Sequence, residues 1–319
     1  METVISADAV ERAVSLLADG EPVALPTETV YGLAADATRP EAVLKIFEAK
    51  ERPFFDPLIV HLPEAGWLDR VTRDRPLLVE KLAEAFWPGP LTLVLPRREI
   101  IPDVVTSGLN TVAVRMSAHP LFREVASRFG KPLAAPSANR FGCISPTAAA
   151  HVMAELGGRI PLILDGGPTD FGVESTIVAI DGNCIKILRS GPVTSDALAK
   201  FGEVIFEKRG DSPIAPGQLQ SHYAPRTRTR IVASARDFIP EAGQRRGLLA
   251  WNPPPDNDVF ATVEILSATQ NLREAAANLF AAMRRLDEAA LDVIVAERVP
   301  EEGLGIAIMD RLRKASANG

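Results

Sequence analysis

Cysteine is scarce in this chain: only Cys143 and Cys184 occur among its 319 residues. Two cysteines cannot make a disulfide framework, and without a Cys-x-x-Cys pair the sequence offers no zinc or redox site of that type. The first residues also lack the apolar core of a signal peptide, and no apolar run approaches the length of a membrane span. These absences predict a cytoplasmic protein with no membrane association.

Signature motifs of several enzyme classes are absent as well. The sequence has no Gly-x4-Gly-Lys-Ser/Thr phosphate loop, no Gly-x-Ser-x-Gly elbow and no His-Glu-x-x-His pair. Its one Gly-x-Gly, at Gly303 and Gly305, lacks the third glycine of a dinucleotide fingerprint. The four histidines are not spaced as helical metal ligands; they are His61, His119, His151 and His222. P-loop ATPases, serine hydrolases and metalloenzymes are therefore disfavoured, and no metal ligands are predicted.

An excess of basic residues is missing too. Lys and Arg number 35 against 41 Asp and Glu, which gives a net charge of −6, and aromatic residues make up only 6%. A protein that mainly binds nucleic acid is usually basic, so this role is disfavoured. A local basic cluster is still compatible with an acidic total.

Apolar sequence is plentiful enough for two domains. Hydrophobic residues make up 46% of the chain, and its length exceeds a single domain of about 150 residues. Over residues 1–206, short apolar runs alternate with helical patterns, which predicts an α/β domain with an open, twisted, mixed sheet and flanking helices. Residues 207–228 lack periodicity and are predicted to be a linker. The α/β pattern resumes over 229–319 as a smaller domain.

Two helix starts are predicted from capping patterns. Ser6 is expected to cap the first helix, which ends at Gly20. Ser145 and Pro146 are expected to start a helix over 146–156, with serine at the cap and proline in the first turn. A helix N-terminus is a ready phosphate site, although a plain capped helix explains Ser145 equally well.

Two further segments place polar or charged residues at predicted element ends. Pro26–Leu33 follows a strand directly, where α/β sheets bind ligands, although a simple turn at Gly32 is an alternative. In Lys50-Glu51-Arg52-Pro53, two cations stand on differently oriented backbone and can converge on one anion. A solvated helix end explains those two cations as well.

Side chains of other extended segments also fit an anionic ligand. Ser137 and Asn139 lie two residues apart, so they share a face of the chain. Thr111 and Arg115 lie on one face of another strand, and Arg189 ends a third. The predicted sheet thus has three arginines and one lysine at the ends of its elements. This arrangement favours a polyanionic substrate over solvent-exposed charges that bind no ligand.

In this order, the segments resemble the threonylcarbamoyl-AMP synthase family in its longer form, which has a YrdC-like domain, a linker and a smaller, Rossmann-like C-terminal domain. The resemblance covers about residues 5–225, and the C-terminal domain is supported by position more than by motif. The matching motifs are Thr27–Leu33, Lys50-x-Arg52-Pro53, Pro57–His61, Trp87–Thr92, Val114-Arg115, Pro136–Asn139, Ser145–Thr147, Asp165–Gly167, Glu174–Val178, Leu188-Arg189 and Pro216–Pro225.

The resemblance implies a reaction in which L-threonine, bicarbonate or CO2, and ATP give threonylcarbamoyl-AMP and pyrophosphate. Other proteins then transfer the threonylcarbamoyl group to an adenosine of certain tRNAs, so direct tRNA binding is not required. Mg²⁺ is expected to accompany ATP, carried largely by phosphates and water. No protein nucleophile is needed, because such a site works by positioning and charge neutralisation.

The resemblance also implies a role for individual residues. Lys50 and Arg52 would be catalytic, and Arg115 would be the partner of the threonine carboxylate. The residues expected to hold L-threonine are Thr29, His61, Arg115, Ala135 and Ser175. The residues expected to surround ATP are Lys50, Arg52, Asp56, Thr111, Ser137, Asn139, Ser145, Arg189 and Tyr223.

Two residues depart from the family pattern. Asp56 stands where the family usually has Asn, which places a negative charge near the expected phosphates. This charge is compatible with weaker ATP binding or with help in holding Mg²⁺. Ser190 replaces a common proline, with little expected consequence.

Alternative functions remain open at this point. A YrdC-like module that binds RNA without forming an adenylate would show tight, salt-sensitive RNA binding and no ATP turnover. Carbamoyl transfer to another acceptor, as in hydrogenase-maturation relatives, would require zinc-finger cysteines that this chain lacks. The linker, residues 207–228, which contains His222 and Tyr223, is expected to serve as an active-site lid that the C-terminal domain helps to position. The aromatic residue there could stack on a base or close over a pocket.

Overall fold

The computed structural model describes residues 2–207, 215–217, 223–239, 241, 243–254 and 259–317. The chain divides into two compact units. The first comprises residues 1–141, 146–170 and 174–218, and the second comprises 142–145, 171–173 and 219–319. Of the predicted linker, residues 208–214 and 218–222 lie outside the described residues, His222 included. The predicted domain limits at 206 and 229 stay predictions.

The first unit is built on one large mixed sheet. Within the described residues its strands follow the order β1-β8-β2-β3-β7-β4-β6-β5-β9-β10-β11, with parallel and antiparallel neighbours. They are β1 (Val4–Ser6), β2 (Val23–Leu25), β3 (Gly32–Asp36), β4 (Ile59–His61), β5 (Leu91–Pro96), β6 (Thr111–Arg115), β7 (Leu133–Ala134), β8 (Leu162–Leu164), β9 (Thr176–Asp181), β10 (Cys184–Arg189) and β11 (Glu203–Phe206).

Helices flank this sheet, which confirms the predicted fold class. They are α1 (Val10–Ala18), α2 (Pro40–Lys50), α3 (Leu68–Val71), α4 (Leu77–Phe86), α5 (Asp103–Thr106), α6 (Pro120–Phe129), α7 (Ala149–Leu156) and α8 (Ser195–Leu198). Both α2 and α6 begin at a proline, whose fixed φ suits the first helical turn. The strands β2, β3 and β4 are buried along their whole length, so their sequences do not alternate between apolar and polar residues.

The predicted cap at Ser6 is wrong. Ser6 is the last residue of β1 and pairs with Leu164 of β8 in a parallel ladder. This pairing keeps the backbone extended, so α1 begins four residues later, at Val10.

The predicted helix start at Ser145 is also wrong. The carbonyls of Pro146 and Thr147 accept backbone hydrogen bonds from Tyr31 (2.9 Å) and Thr169 (3.0 Å). These long-range bonds hold the segment extended, and α7 begins only at Ala149. Ser145 therefore offers no helix N-terminus to a phosphate.

The second unit is a smaller α/β domain, as predicted, and its sheet is parallel. Its order is β12-β15-β13-β14 among the described residues. Asn271 caps the long helix by accepting hydrogen bonds from the N–H groups of Arg273 and Glu274. The elements are β12 (Arg228–Val232), β13 (Arg246–Ala250), β14 (Thr262–Ile265), β15 (Val293–Glu297), α9 (Leu272–Glu288) and α10 (Leu304–Ala315).

Neither unit carries a membrane helix in its described part: no helix there is long and apolar enough to cross a bilayer. Cys143 and Cys184 are reduced cysteines, and both are partly buried.

Candidate functional site

A buried ion pair forms the first half of the candidate site. Arg115, at the end of β6, donates from Nη2 to Oε1 of Glu28 at 2.6 Å and from Nη1 to Oγ1 of Thr29 at 3.0 Å. Ser117 Oγ donates to the other oxygen of Glu28 at 2.5 Å. In the β4–β6 ladder His61 lies opposite Arg115. We call these five buried residues the Arg115 cluster.

Glu28 was missed by the sequence analysis. Burial alone would raise the pKa of this carboxyl, but the charge of Arg115 and hydrogen bonds from Ser117 and Arg115 lower it below its usual value. Glu28 is therefore ionised and already pairs with the arginine expected to meet the threonine carboxylate. Its signal in the sequence was an acid between two threonines, directly after a strand.

His61 is a neutral member of the Arg115 cluster. Burial, aided by the charge of Arg115 and opposed by Glu28, lowers the pKa of His61 to about 3. Its ring packs against Phe122 with 4.6 Å between the centroids. At neutral pH His61 can thus bind a ligand as an uncharged group, and it adds no positive charge to the site.

The neutrality of His61 predicts a loss of stability in acid. An unfolded histidine binds a proton below about pH 6.5, so this contribution is fully present above that pH and is lost as the pH falls toward 3. Between pH 6.5 and pH 4.5, the unfolding free energy of the unchanged protein should fall by about 2 kcal/mol more than that of His61→Gln. Denaturant titrations of both proteins at the two pH values measure this difference. Equal losses would show that His61 titrates normally.

Lys50 and Arg52 belong to the second half of the candidate site. The α2 helix ends at Lys50, and Glu51 then adopts a left-handed φ of 53°, which redirects the chain. Lys50 Nζ donates to the carbonyl oxygens of Ser137 and Asn139, both at 2.5 Å. The lysine therefore lies beside the segment that carries the predicted hydroxyl and amide.

Arg52 is held by the loop that follows it. Its Nε donates to the carbonyl of Asp56 at 3.1 Å and its Nη2 to the carbonyl of Pro57 at 2.8 Å. Nη2 also lies 2.8 Å from Oδ2 of Asp56, and both side chains are buried. The guanidinium plane is thereby fixed in one orientation.

Arg189 brings a third buried cation from the end of β10. It donates from Nε to the Ser175 carbonyl at 3.1 Å and from Nη2 to Ser175 Oγ at 3.0 Å. Ser175 Oγ also shares a hydrogen bond of 2.8 Å with Thr92, a residue that was not predicted for the site. Lys50, Arg52 and Arg189 all act electrostatically on Asp56. We call these four residues the Arg52 cluster.

The remaining predicted residues are placed as follows. Thr111 begins β6 and is partly exposed, and Ala135 is buried, its N–H donating to the Ile59 carbonyl at 2.9 Å. Ser145 and Tyr223 are described within the second unit. There the buried Tyr223 ring has Phe280 at 5.7 Å between centroids and Arg311 Cζ at 5.2 Å.

The described residues do not form a protein cage for a metal ion. No group of three or more His, Cys, Asp or Glu side chains that could hold a metal occurs among them. Asp56, the one carboxylate of the Arg52 cluster, lies at ion-pair distance from Arg52, and the charges of Lys50 and Arg189 also act on it, so a further cation such as Mg²⁺ would be repelled there. Of the two consequences considered for Asp56, Mg²⁺ binding is therefore disfavoured.

Comparisons with known proteins agree along the whole chain. A family model described as "Telomere recombination" matches residues 15–191, and one described as "Threonylcarbamoyl-AMP synthase, C-terminal domain" matches residues 193–317. The chain is 41% identical to threonylcarbamoyl-AMP synthase of Pyrococcus abyssi, covering 95% of this chain and 93% of the relative. It is 40% identical to the Bacillus subtilis enzyme of that name, covering 96% and 92%.

A solved structure supports the same relationship. Sua5 from Pyrococcus abyssi in complex with L-threonine matches with a TM-score of 0.90 at 39% identity, covering 99% of this chain and 97% of the other. The chain is thus similar to that protein in both fold and sequence over nearly its full length.

Proposed function

The chain belongs to the threonylcarbamoyl-AMP synthase family, an adenylyl-transferring enzyme family, and we propose that it converts L-threonine, bicarbonate or CO2, and ATP into threonylcarbamoyl-AMP and pyrophosphate. The product would serve threonylcarbamoyladenosine modification of tRNA, with separate proteins carrying out the transfer. We place the enzyme in the cytoplasm, where ATP and tRNA are available to it.

The Arg52 cluster is the observation that carries the ATP half of this proposal. Lys50, Arg52 and Arg189 are all buried, and the charges of all three act on the one carboxylate of the cluster. Charge buried in this way is stabilised when a polyanion enters, and the guanidinium fork of arginine matches phosphate oxygens. Ser137 and Asn139, next to Lys50, would complete the contacts to ATP.

The Arg115 cluster supports the threonine half. A zwitterionic amino acid needs a cation for its carboxylate and acceptors for its amine, and the buried Arg115, Glu28 and Thr29 supply both kinds of group. Arg115 can contact a carboxylate while keeping its bond to Glu28, because a guanidinium carries five N–H donors. Ser175 and Ala135 would add contacts to threonine.

The chemistry follows from positioning. The neutral amine of threonine adds to CO2 and releases one proton to solvent, which gives a carbamate; bicarbonate can supply the CO2 by losing hydroxide. A carbamate oxygen then attacks the α-phosphorus, and the bond to pyrophosphate breaks. Lys50, Arg52 and Arg189 would neutralise charge on the phosphates as this happens. Mg²⁺ would enter with ATP as part of the substrate, bound by phosphate oxygens and water.

A pyrophosphate assay tests the proposal. With ATP, bicarbonate and Mg²⁺ present, adding L-threonine should start pyrophosphate release, and omitting it should stop the reaction. Glycine and L-alanine, which lack the hydroxyl and methyl groups of threonine, serve as controls that should give lower rates. Equal release without threonine would contradict the proposal.

A further inference from the structure

Asp56 is an unusual buried carboxylate. Its side chain is 0% exposed, and neither carboxylate oxygen accepts a hydrogen bond. Arg52 directs two of its N–H groups to the backbone carbonyls of Asp56 and Pro57, and only an ion pair of 2.8 Å joins it to the Asp56 carboxylate. A buried charge without hydrogen bonds is costly, and it depends on its neighbouring charges to stay ionised.

The charged groups that act on Asp56 come from three elements. Lys50 ends α2, Arg52 stands on the same loop as Asp56, and Arg189 ends β10. Burial raises the pKa of Asp56 above its usual value, and these three cations oppose the rise. The ionisation of Asp56 therefore depends on whether the cations are available to it.

Phosphate oxygens would compete for the same three cations. If ATP binds as proposed above, its negative charges come close to Lys50, Arg52 and Arg189 and therefore to Asp56. Two neighbouring anions in a buried site favour protonation of the weaker acid, as in paired carboxylates. A carboxyl group is a weaker acid than the α- and β-phosphate groups of ATP, which are fully ionised at neutral pH.

We propose that Asp56 is the internal counter-ion of Lys50, Arg52 and Arg189 in the free enzyme, and that it takes up one proton from solvent when ATP binds. The carboxylate then becomes a neutral carboxylic acid, and the cations are left to neutralise the phosphates. This inference rests on the proposed ATP site and adds a pH dependence to it. Asp56 is thereby a positioning residue that keeps the cations in place before ATP arrives.

Calorimetry of ATP binding in buffers of different ionisation enthalpy measures the protons taken up. We compare the unchanged enzyme with Asp56→Asn, which keeps the size of the side chain and cannot take up a proton. ATP itself titrates near neutral pH, but this contribution is common to both proteins and cancels in the difference. Between pH 6 and 8 the unchanged enzyme should take up more protons than Asp56→Asn, by up to about one per ATP.

The affinities should show the same linkage. As the pH rises, ATP binding to the unchanged enzyme should weaken relative to Asp56→Asn, by up to about tenfold per pH unit. Asp36→Asn is a matched control, since Asp36 is also buried and pairs with Lys131 at 3.0 Å without belonging to either cluster. This control should retain the full proton uptake.

The outcomes separate this inference from the proposed function. If Asp56→Asn binds ATP with the same proton count as the unchanged enzyme, the proton uptake at Asp56 is refuted while the ATP site stands. If Asp56→Asn instead raises only the Mg²⁺ concentration needed for ATP binding, Asp56 is a metal ligand and the inference is wrong. If the unchanged enzyme binds no ATP, the proposed ATP site itself fails.

Discussion

Replacing Arg52 by alanine is expected to lower threonine-dependent pyrophosphate release by about 100-fold or more, in the range found when one preorganised charge-stabilising donor is removed. Arg52 is buried, and its guanidinium is fixed by two backbone carbonyls and by Asp56. Because these contacts orient it before ATP arrives, little reorganisation is needed when the phosphates bind. The loss should appear in kcat and in the KM for ATP, and the KM for threonine should change little.

Arg128→Ala is a suitable control for this substitution. Arg128 lies on α6, is about half exposed and pairs with Glu124 at 2.6 Å. Exposed ion pairs contribute about 0–1 kcal/mol, so this variant should fold normally and keep its rate. Rates lowered equally in both variants would mean that the Arg52 cluster is not where ATP reacts.

Replacing Arg115 by alanine is expected to abolish threonine-dependent pyrophosphate release. It should also lower the free energy of unfolding by about 3–5 kcal/mol, because a buried charge loses its partner. The stranded charge is Glu28, which keeps only Ser117 as a donor to its carboxylate among the contacts described above. Denaturant unfolding measures the stability, and pyrophosphate release at increasing threonine concentration measures the function.

A second substitution separates the two effects of Arg115. In the double variant Arg115→Ala, Glu28→Gln, the stranded charge is gone, so most of the lost stability should return. Threonine-dependent pyrophosphate release should not return, because no arginine is left at this position to bind the carboxylate of threonine. If the double variant recovers threonine-dependent release, Arg115 acts through folding alone and does not bind the substrate.

Local sequence patterns were informative where the site depends on local geometry. Lys50 ends a helix and Arg52 follows two residues later on a different backbone course, as the lysine–arginine–proline spacing predicted. The β4–β6 pairing that aligns His61 with Arg115 was not predicted from the sequence. The buried strand β3 consists mostly of small residues, which carry no strong strand preference, so no local pattern indicates it.

The features that sequence reasoning missed depend on contacts between residues that are far apart in the chain. The Glu28–Arg115 pair joins residues 87 positions apart, and no local pattern signals such a pair. Ser145 carried a strong capping pattern, but distant backbone partners of Pro146 and Thr147 keep the segment extended. For Asp56, only the structure shows that neither carboxylate oxygen accepts a hydrogen bond and that the charges of three buried cations act on the carboxylate.

The most direct measurement follows the carbon atom of bicarbonate. The enzyme is incubated with ¹³C-bicarbonate, L-threonine and MgATP, and the nucleotide products are identified by mass spectrometry. The proposed reaction predicts one product that contains AMP, threonine and the labelled carbon, formed in step with pyrophosphate and absent in Arg52→Ala. Pyrophosphate release with no labelled carbon in any adenylate would contradict the proposed reaction.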